Sequence, residues 1–166
     1  MKTNLLDHWD IVQKTKRIAF QIVEGNFDEK EIILVGIVPN GLIFSEMIKE
    51  EISSINERIK VSILPLTINK ATPLADKIEI DTTQKSITNK TIIIVDDVAN
   101  TGRTVFFALQ PIIALNPKKV QVAVLVDRKH KHFPIAADYV GMSLSTTLQE
   151  HILVDLQPTK AEAYLV

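Results

Sequence analysis

The sequence predicts an α/β domain built on a mostly parallel sheet. Consecutive apolar, β-branched runs, Glu31 to Ile37 and Thr91 to Val95, read as strands buried on both faces. Segments with apolar residues at helical spacing alternate with such runs. Turn-forming residues follow these strands directly, as at Val38-Pro39-Asn40-Gly41.

Taken in order, Ile11, Ile18, Ile22 and Val23 recur at helical spacing among polar residues and predict an amphipathic helix that Gly25-Asn26 stops. The Glu31–Ile37 strand follows. Ile43, Phe44, Met47, Ile48, Ile52 and Ile55 predict a second helix from Leu42. Val61 to Ile68 reads as a strand in which Pro65 marks an edge or a bend. Residues Asn69 to Asn89 form a long polar excursion with a short strand at Lys77–Asp81; loops of that length usually carry function. After the Thr91–Val95 strand, Val105, Ala108, Leu109 and Ile112 or Ile113 predict a third helix, bent at Pro111 and ended by Asn116-Pro117. Val120–Val126, Ala137–Met142 and His151–Leu156 complete the strands. Crossovers are expected to be right-handed.

Hydrophobic residues make up 46% and charged residues 23% of 166, which fits one folded domain, 1–166, and excludes disorder. The absence of cysteine excludes a disulfide scaffold, a thiolate zinc site and a cysteine nucleophile. With a net charge of −1, nucleic acid could be held only by a local patch. Met1 to Asp7 lacks the features of a signal peptide, and no apolar run approaches the roughly 20 residues of a membrane span, so a cytoplasmic protein without a membrane partner is expected.

The chemistry concentrates in residues 91–104. A buried strand delivers Asp96 and Asp97 to its carboxyl end, where ligands of open α/β sheets bind. Backbone N–H groups from Ala99 to Arg103 then converge at a helix N-terminus. Thr101 and Thr104 add hydroxyls, and Gly102 permits the tight turn. One segment could thus hold a phosphate and a polyol together. The plainer alternative is a strand-to-helix turn with Asp and Thr as caps. No Gly-Lys-Ser/Thr and no Gly-x-Gly-x-x-Gly follows a strand, which sets nucleotide-triphosphate and dinucleotide loops aside.

The string Val95-Asp96-Asp97-Val98-Ala99-Asn100-Thr101-Gly102-Arg103-Thr104 resembles the PRPP-binding motif of type I phosphoribosyltransferases. Arg17-Ile18-Ala19, Val124 to His130 and Pro134 to Gly141 are similar to the branch whose members regulate pyrimidine operons and double as uracil phosphoribosyltransferases, the PyrR type. The resemblance implies the type I fold with a flexible hood after Ile68. It implies Mg²⁺-dependent transfer of ribose 5-phosphate from PRPP to a nucleobase, uracil first, through an oxocarbenium-like transition state. On that reading Asp96 and Asp97 are catalytic and orient the ribose hydroxyls. Ala99, Asn100, Thr101, Gly102, Arg103 and Thr104 grip the 5-phosphate. Pro39, Asn40 and Gly41 stand in the pyrophosphate loop, and Arg128 and Val140 contact base or pyrophosphate. The Mg²⁺ is held by PRPP and meets the acidic pair through water. A homodimer or homotetramer is implied as well.

Departures from the family pattern narrow these expectations. Pro39-Asn40-Gly41 lacks the Arg of the usual Thr-Arg-Gly, and the hood offers only Lys70. Met142-Ser143-Leu144-Ser145-Thr146 replaces Lys-Asn-Ile-Pro-Thr near the base pocket, and Asn100 stands where purine-type relatives place a carboxylate. Lys16, Phe20 and Ala136 replace expected RNA contacts, which disfavours an RNA-binding regulator, although Arg128-Lys129-His130-Lys131-His132 supplies local charge. A nucleotide-sensing, RNA-binding regulator of transcription attenuation with weak or no catalysis, a purine enzyme and a silent PRPP binder remain as alternatives. Arg128 could equally form a surface salt bridge. The four histidines lack metal-site spacing and read as surface or structural. Trp9, Phe20, Phe44, Phe106 and Phe107 read as core or interface, with Phe106 and Phe107 unable to share one core.

Overall fold

The computed structural model describes residues 2–83, 85–147 and 149–166. Chain order is β1 (Thr3–Leu6), α1 (His8–Gly25), β2 (Glu31–Ile37), α2 (Asn40–Ile55), β3 (Lys60–Thr67), β4 (Glu79–Ile80), β5 (Thr91–Ala99), α3 (Arg103–Ile113), β6 (Lys119–Arg128), β7 (Tyr139–Leu144), β8 (Ile152–Gln157) and β9 (Lys160–Leu165). A six-stranded sheet has the order β4-β3-β2-β5-β6-β7. All its pairings are parallel except the two-residue β4, which runs antiparallel to β3.

The apolar runs of β2 and β5 alternate between two cores. Ile32, Leu34, Ile93 and Val95 pack with Ile18, Ile22, Phe44, Ile48 and Ile52 of α1 and α2. Ile33, Val35, Ile92 and Ile94 pack with Val105, Ala108 and Ile112 of α3 and with Ile78 and Ile87 of the excursion. Covering both faces is what a parallel sheet with helical crossovers requires.

Several boundaries differ from the sequence expectation for identifiable reasons. Helix α1 starts at His8, ahead of Ile11, because Asp7 and Asp10 form a reciprocal capping box. The short strand expected at Lys77–Asp81 reduces to Glu79–Ile80. Pro65 lies on the outer edge of β3 beside the β4 pairing of Leu66 and Thr67, where its carbonyl accepts from Asp81 N–H at 3.2 Å. Pro111 stands inside the last turn of α3, two residues before its end, and its missing N–H leaves the Phe107 carbonyl without its i→i−4 partner.

The larger correction concerns the C-terminal strand expected at His151–Leu156. It is β8, and it leaves the main sheet to form a separate antiparallel sheet of order β1-β9-β8. Strands β1 and β9 carry weak sequence signals, being four residues long and alanine-based respectively. Small buried Ala161 and Ala163 let β9 lie close to its neighbours.

Helix α2 begins against the end of β5, and Gly41 makes that approach possible. A Cβ at Gly41 would stand 2.3 Å from the Val95 carbonyl oxygen, a backbone atom that cannot swing aside. We therefore expect Gly41→Ala to lower stability by about 2 kcal/mol or more, the scale of core overpacking, as read by thermal or urea unfolding.

Candidate active site

Strand β5 runs through the acidic pair to Ala99, four residues past Val95. Pairing with β6, Asp96 opposite Val124 and Ala99 opposite Asp127, overrides the poor strand propensity of aspartate. Asp96 is 1% exposed and Asp97 9%. Their carboxylates accept from the next residue's backbone: Asp97 N–H donates to Asp96 Oδ1 at 3.0 Å and Val98 N–H to Asp97 Oδ1 at 2.9 Å.

Two side chains from other elements meet the pair. Lys70, in the excursion after β3, donates to both Asp96 oxygens at 3.0 and 3.2 Å, and its ammonium lies 3.9 Å from Asp97 Oδ1. Asn40, the first residue of α2, donates to Asp97 Oδ2 at 2.7 Å and to the Val154 carbonyl of β8 at 3.1 Å. Burial pushes the Asp96 carboxyl up to about 7; the like charge of Asp97 adds to the rise, and Lys70 opposes it.

Helix α3 begins on the same side. Its N-cap is Gly102 at φ +83°, and no side chain caps it. The alternative in which the aspartates cap the helix is thereby excluded: Asp96 and Asp97 lie within β5, and Thr101 Oγ1 accepts only a 3.3 Å bond from Arg103 N–H. The first-turn N–H groups and the positive end of the helix dipole face a cavity of about 260 Å³. Lys70, Asp96, Asp97, residues 98–105 and Ile152 line it. The structure thus brings together the acidic pair and all of Ala99–Thr104, and adds Lys70 and Ile152.

The segment after β6 lies behind this loop, and it corrects the reading of the basic run as a cationic surface. Only Lys129 and His132 of Lys129–His132 are exposed. Lys131 donates to Asp127 Oδ1 at 2.5 Å and to the carbonyls of Arg128, Asn100 and Ala99 at 2.7, 3.1 and 3.3 Å. His132 and Phe133 N–H groups both donate to the Thr101 carbonyl, at 2.9 and 3.1 Å. Arg128 is 4% exposed and forms no surface salt bridge. It donates to Asn100 Oδ1 at 2.9 Å and to the Thr147 carbonyl at 2.6 Å, and does not line the cavity among the described residues. Because guanidinium only donates, it fixes the Asn100 amide with its oxygen toward Arg128.

The remaining candidates do not line the cavity among the described residues. Pro39 and Gly41 flank Asn40 at the start of α2, after the cis Val38–Pro39 peptide. Val140 is in β7, where its carbonyl and that of Gly141 accept from Arg17 of α1. His8 is structural, its Nδ1 accepting from Ala161 N–H at 3.1 Å. Phe44 is core, but Trp9 and Phe20, at 68% and 51% exposure, are not. Phe106 and Phe107 do separate: Phe107 packs on the α3-side core, Phe106 is 39% exposed, and Phe133 contacts both. No described helix is long and apolar enough to cross a membrane.

Comparison with known proteins agrees with this geometry. The Phosphoribosyl transferase domain profile matches residues 1–158. The chain is 38% identical to the bifunctional protein PyrR of Pelotomaculum thermopropionicum, covering 99% of this chain and 94% of that one. It is 37% identical to the PyrR of Bacillus cereus, covering 95% and 92%. Among solved structures, the hypoxanthine phosphoribosyltransferase of Trypanosoma cruzi superimposes with a TM-score of 0.78 over 97% of this chain and 95% of that chain, at 16% identity. A hypoxanthine-guanine phosphoribosyltransferase of Bacillus anthracis does so with a TM-score of 0.74 over 90% and 86%, at 22% identity. These two likenesses are of fold. The full-length matches and the cavity built on the acidic pair lead to one conclusion: the chain belongs to the phosphoribosyl transferase domain family and is a phosphoribosyltransferase.

Proposed function

We propose that the chain, as one domain over 1–166, transfers ribose 5-phosphate from PRPP to a nucleobase, with uracil as the first substrate. In the step, the C1′–oxygen bond to pyrophosphate breaks and a C1′–nitrogen bond forms. The base nitrogen loses its proton, and pyrophosphate leaves. One observation carries the reading: a buried acidic pair and an uncapped helix N-terminus line one 260 Å³ cavity. Asp96 and Asp97 accept the ribose hydroxyls, and their charge faces the carbon on which positive charge grows. Residues Ala99–Thr104 donate to the 5-phosphate. Asn40 and Lys70 supply donors toward the pyrophosphate side, and Ala71, held by Arg103 at 3.5 Å, keeps the excursion over the site to exclude water. Arg128 acts through Asn100.

The donor set fits Mg²⁺ carried in by PRPP. Carboxylate oxygens are hard ligands, and an ammonium already lies against them. Among the described residues, no group of three or more His, Cys, Asp or Glu side chains could hold a metal unaided. Mg²⁺ when bound would neutralise the leaving pyrophosphate, and Asp96 and Asp97 would hold it through water.

A second reading, RNA binding in addition to catalysis, is favoured by one surface. Trp9, Gln13, Lys16 and Phe20 are exposed along one face of α1, an aromatic and cationic stripe suited to stacking on unpaired bases. Relatives named bifunctional give it added weight.

Pyrophosphate release from Mg²⁺–PRPP with uracil, orotate, hypoxanthine, guanine and xanthine tests the main reading. Turnover is expected with uracil, and Asp97→Asn is expected to lower it by about 100-fold or more. Unchanged turnover in that variant would make the pair structural. PRPP binding without turnover on any base would favour the silent binder or the regulator.

The acid pair also predicts a pH dependence. The folded state keeps a proton on Asp96 that the unfolded chain has already released, so this group's contribution lowers stability as pH rises from the ordinary carboxylate range toward 7. PRPP requires the ionised pair, so kcat/KM for PRPP should rise through about pH 7. Lys70→Met removes the cation that favours ionisation and should move the inflection to higher pH. A flat profile between about pH 6 and 8 in both proteins contradicts the assignment.

A further inference from the structure

Resting on the reading of residues 99–104 as the anion-holding loop, we propose that Lys131 is a positioning residue that sets this loop in its ligand-binding shape. Four oxygens converge on its ammonium: Asp127 Oδ1 at 2.5 Å, and the carbonyls of Arg128 at 2.7 Å, Asn100 at 3.1 Å and Ala99 at 3.3 Å. Three N–H donors serve four acceptors, so one bond is shared. The neighbouring backbone continues the pattern, His132 and Phe133 N–H groups taking the Thr101 carbonyl. Three consecutive carbonyls, 99 to 101, are therefore drawn toward segment 131–133.

In a trans peptide unit the C=O and the following N–H point in opposite directions. Drawing back the carbonyls of Ala99, Asn100 and Thr101 turns the N–H groups of Asn100, Thr101 and Gly102 the other way. The cavity lies on that side. Successive N–H groups aimed at one point form a concave anion site. Asp127 neutralises the ammonium, so Lys131 acts through geometry, and its charge contributes little to the ligand's field. Gly102 is part of the same arrangement: a Cβ there would come within 3.3 Å of the Phe133 carbonyl and 3.4 Å of the Lys131 stem. Lys131 is thus committed to the loop and unavailable as a contact for an outside polyanion. Its neighbour Lys129, exposed and of the same charge, provides the control.

The experiment measures the Kd of Mg²⁺–PRPP and the KM of the base in the wild-type chain and in Lys129→Ala, Lys131→Met and Lys131→Arg. Lys131→Met is expected to weaken PRPP about tenfold or more while base KM at saturating PRPP stays within about twofold. Lys129→Ala should bind as wild type. Lys131→Arg keeps the charge and guards against a folding defect in the Met variant. Its planar fork cannot converge on four oxygens, so it should also bind PRPP more weakly. Hydrogen exchange at His132 and Phe133, whose N–H groups hold the Thr101 carbonyl, should quicken in both Lys131 variants while Ile92–Ile94 stay protected. Wild-type affinity in Lys131→Met, or full rescue by Lys131→Arg, overturns the positioning role alone. A wild-type chain that fails to bind Mg²⁺–PRPP overturns the reading of the loop, and this inference with it.

Discussion

Two adjacent carboxylates sit near the end of the most buried strand of the sheet, and much of the surrounding structure answers to that constraint. An ionised carboxylate in low dielectric needs hydrogen bonds and a countercharge, or it takes up a proton. Asp97 receives Asn40 from α2 and a backbone N–H, while Asp96 receives Lys70 from the excursion and a backbone N–H. Each partner comes from a different element. The site therefore exists only when β5, α2 and the post-β3 excursion are assembled together, with β8 joined through the Val154 carbonyl.

The anion side of the cavity depends on a different mechanism. The loop before α3 has no side-chain cap, and its shape is imposed from behind by the segment after β6. Arg128 orients the Asn100 side chain and Lys131 orients the backbone of the same residue. Sheet pairing fixes both, since β6 lies beside β5 in register from Thr91–Lys119 to Ala99–Asp127. Consecutive central strands thus carry the two halves of the proposed PRPP site: β5 presents the acids and the loop, and β6 presents what holds the loop.

The frame was legible wherever the apolar signal was dense. The runs around Ile33 and Ile93 predicted β2 and β5, and the string from Asp96 to Thr104 located the cavity. Legibility failed where a residue's role is set by tertiary contacts. Lys131 sits in a run of five basic or histidine residues and reads as a solvated face, yet four oxygens surround it. Arg128 reads as a base or pyrophosphate contact or as half of a surface salt bridge, and it is buried on Asn100 and the Thr147 carbonyl instead. Strand β9 has alternating Lys-Ala-Glu-Ala, too weakly apolar to announce itself, and the departure of β8 to a second sheet leaves no local mark. Trp9 and Phe20 read as core or interface, and their place on the outer face of α1 removes the core half of that reading.

The departures from the family pattern can be weighed together by charge. Asn40, in place of the Arg that the resembled motif implies, brings a donor without a charge. Lys70 is left as the cation nearest the acidic pair, so two carboxylates face one ammonium. Burial raises the Asp96 carboxyl, and the like charge of Asp97, which one ammonium does not cancel, raises it further. A carboxylate pair short of one positive charge favours a divalent cation beside it, because that cation offsets the second carboxylate. Lys70 is 40% exposed on a loop, so its ammonium can shift from carboxylate to pyrophosphate without disturbing a core. The proposed reaction asks for that exchange: the excursion's cation leaves the acidic pair for the leaving group of PRPP.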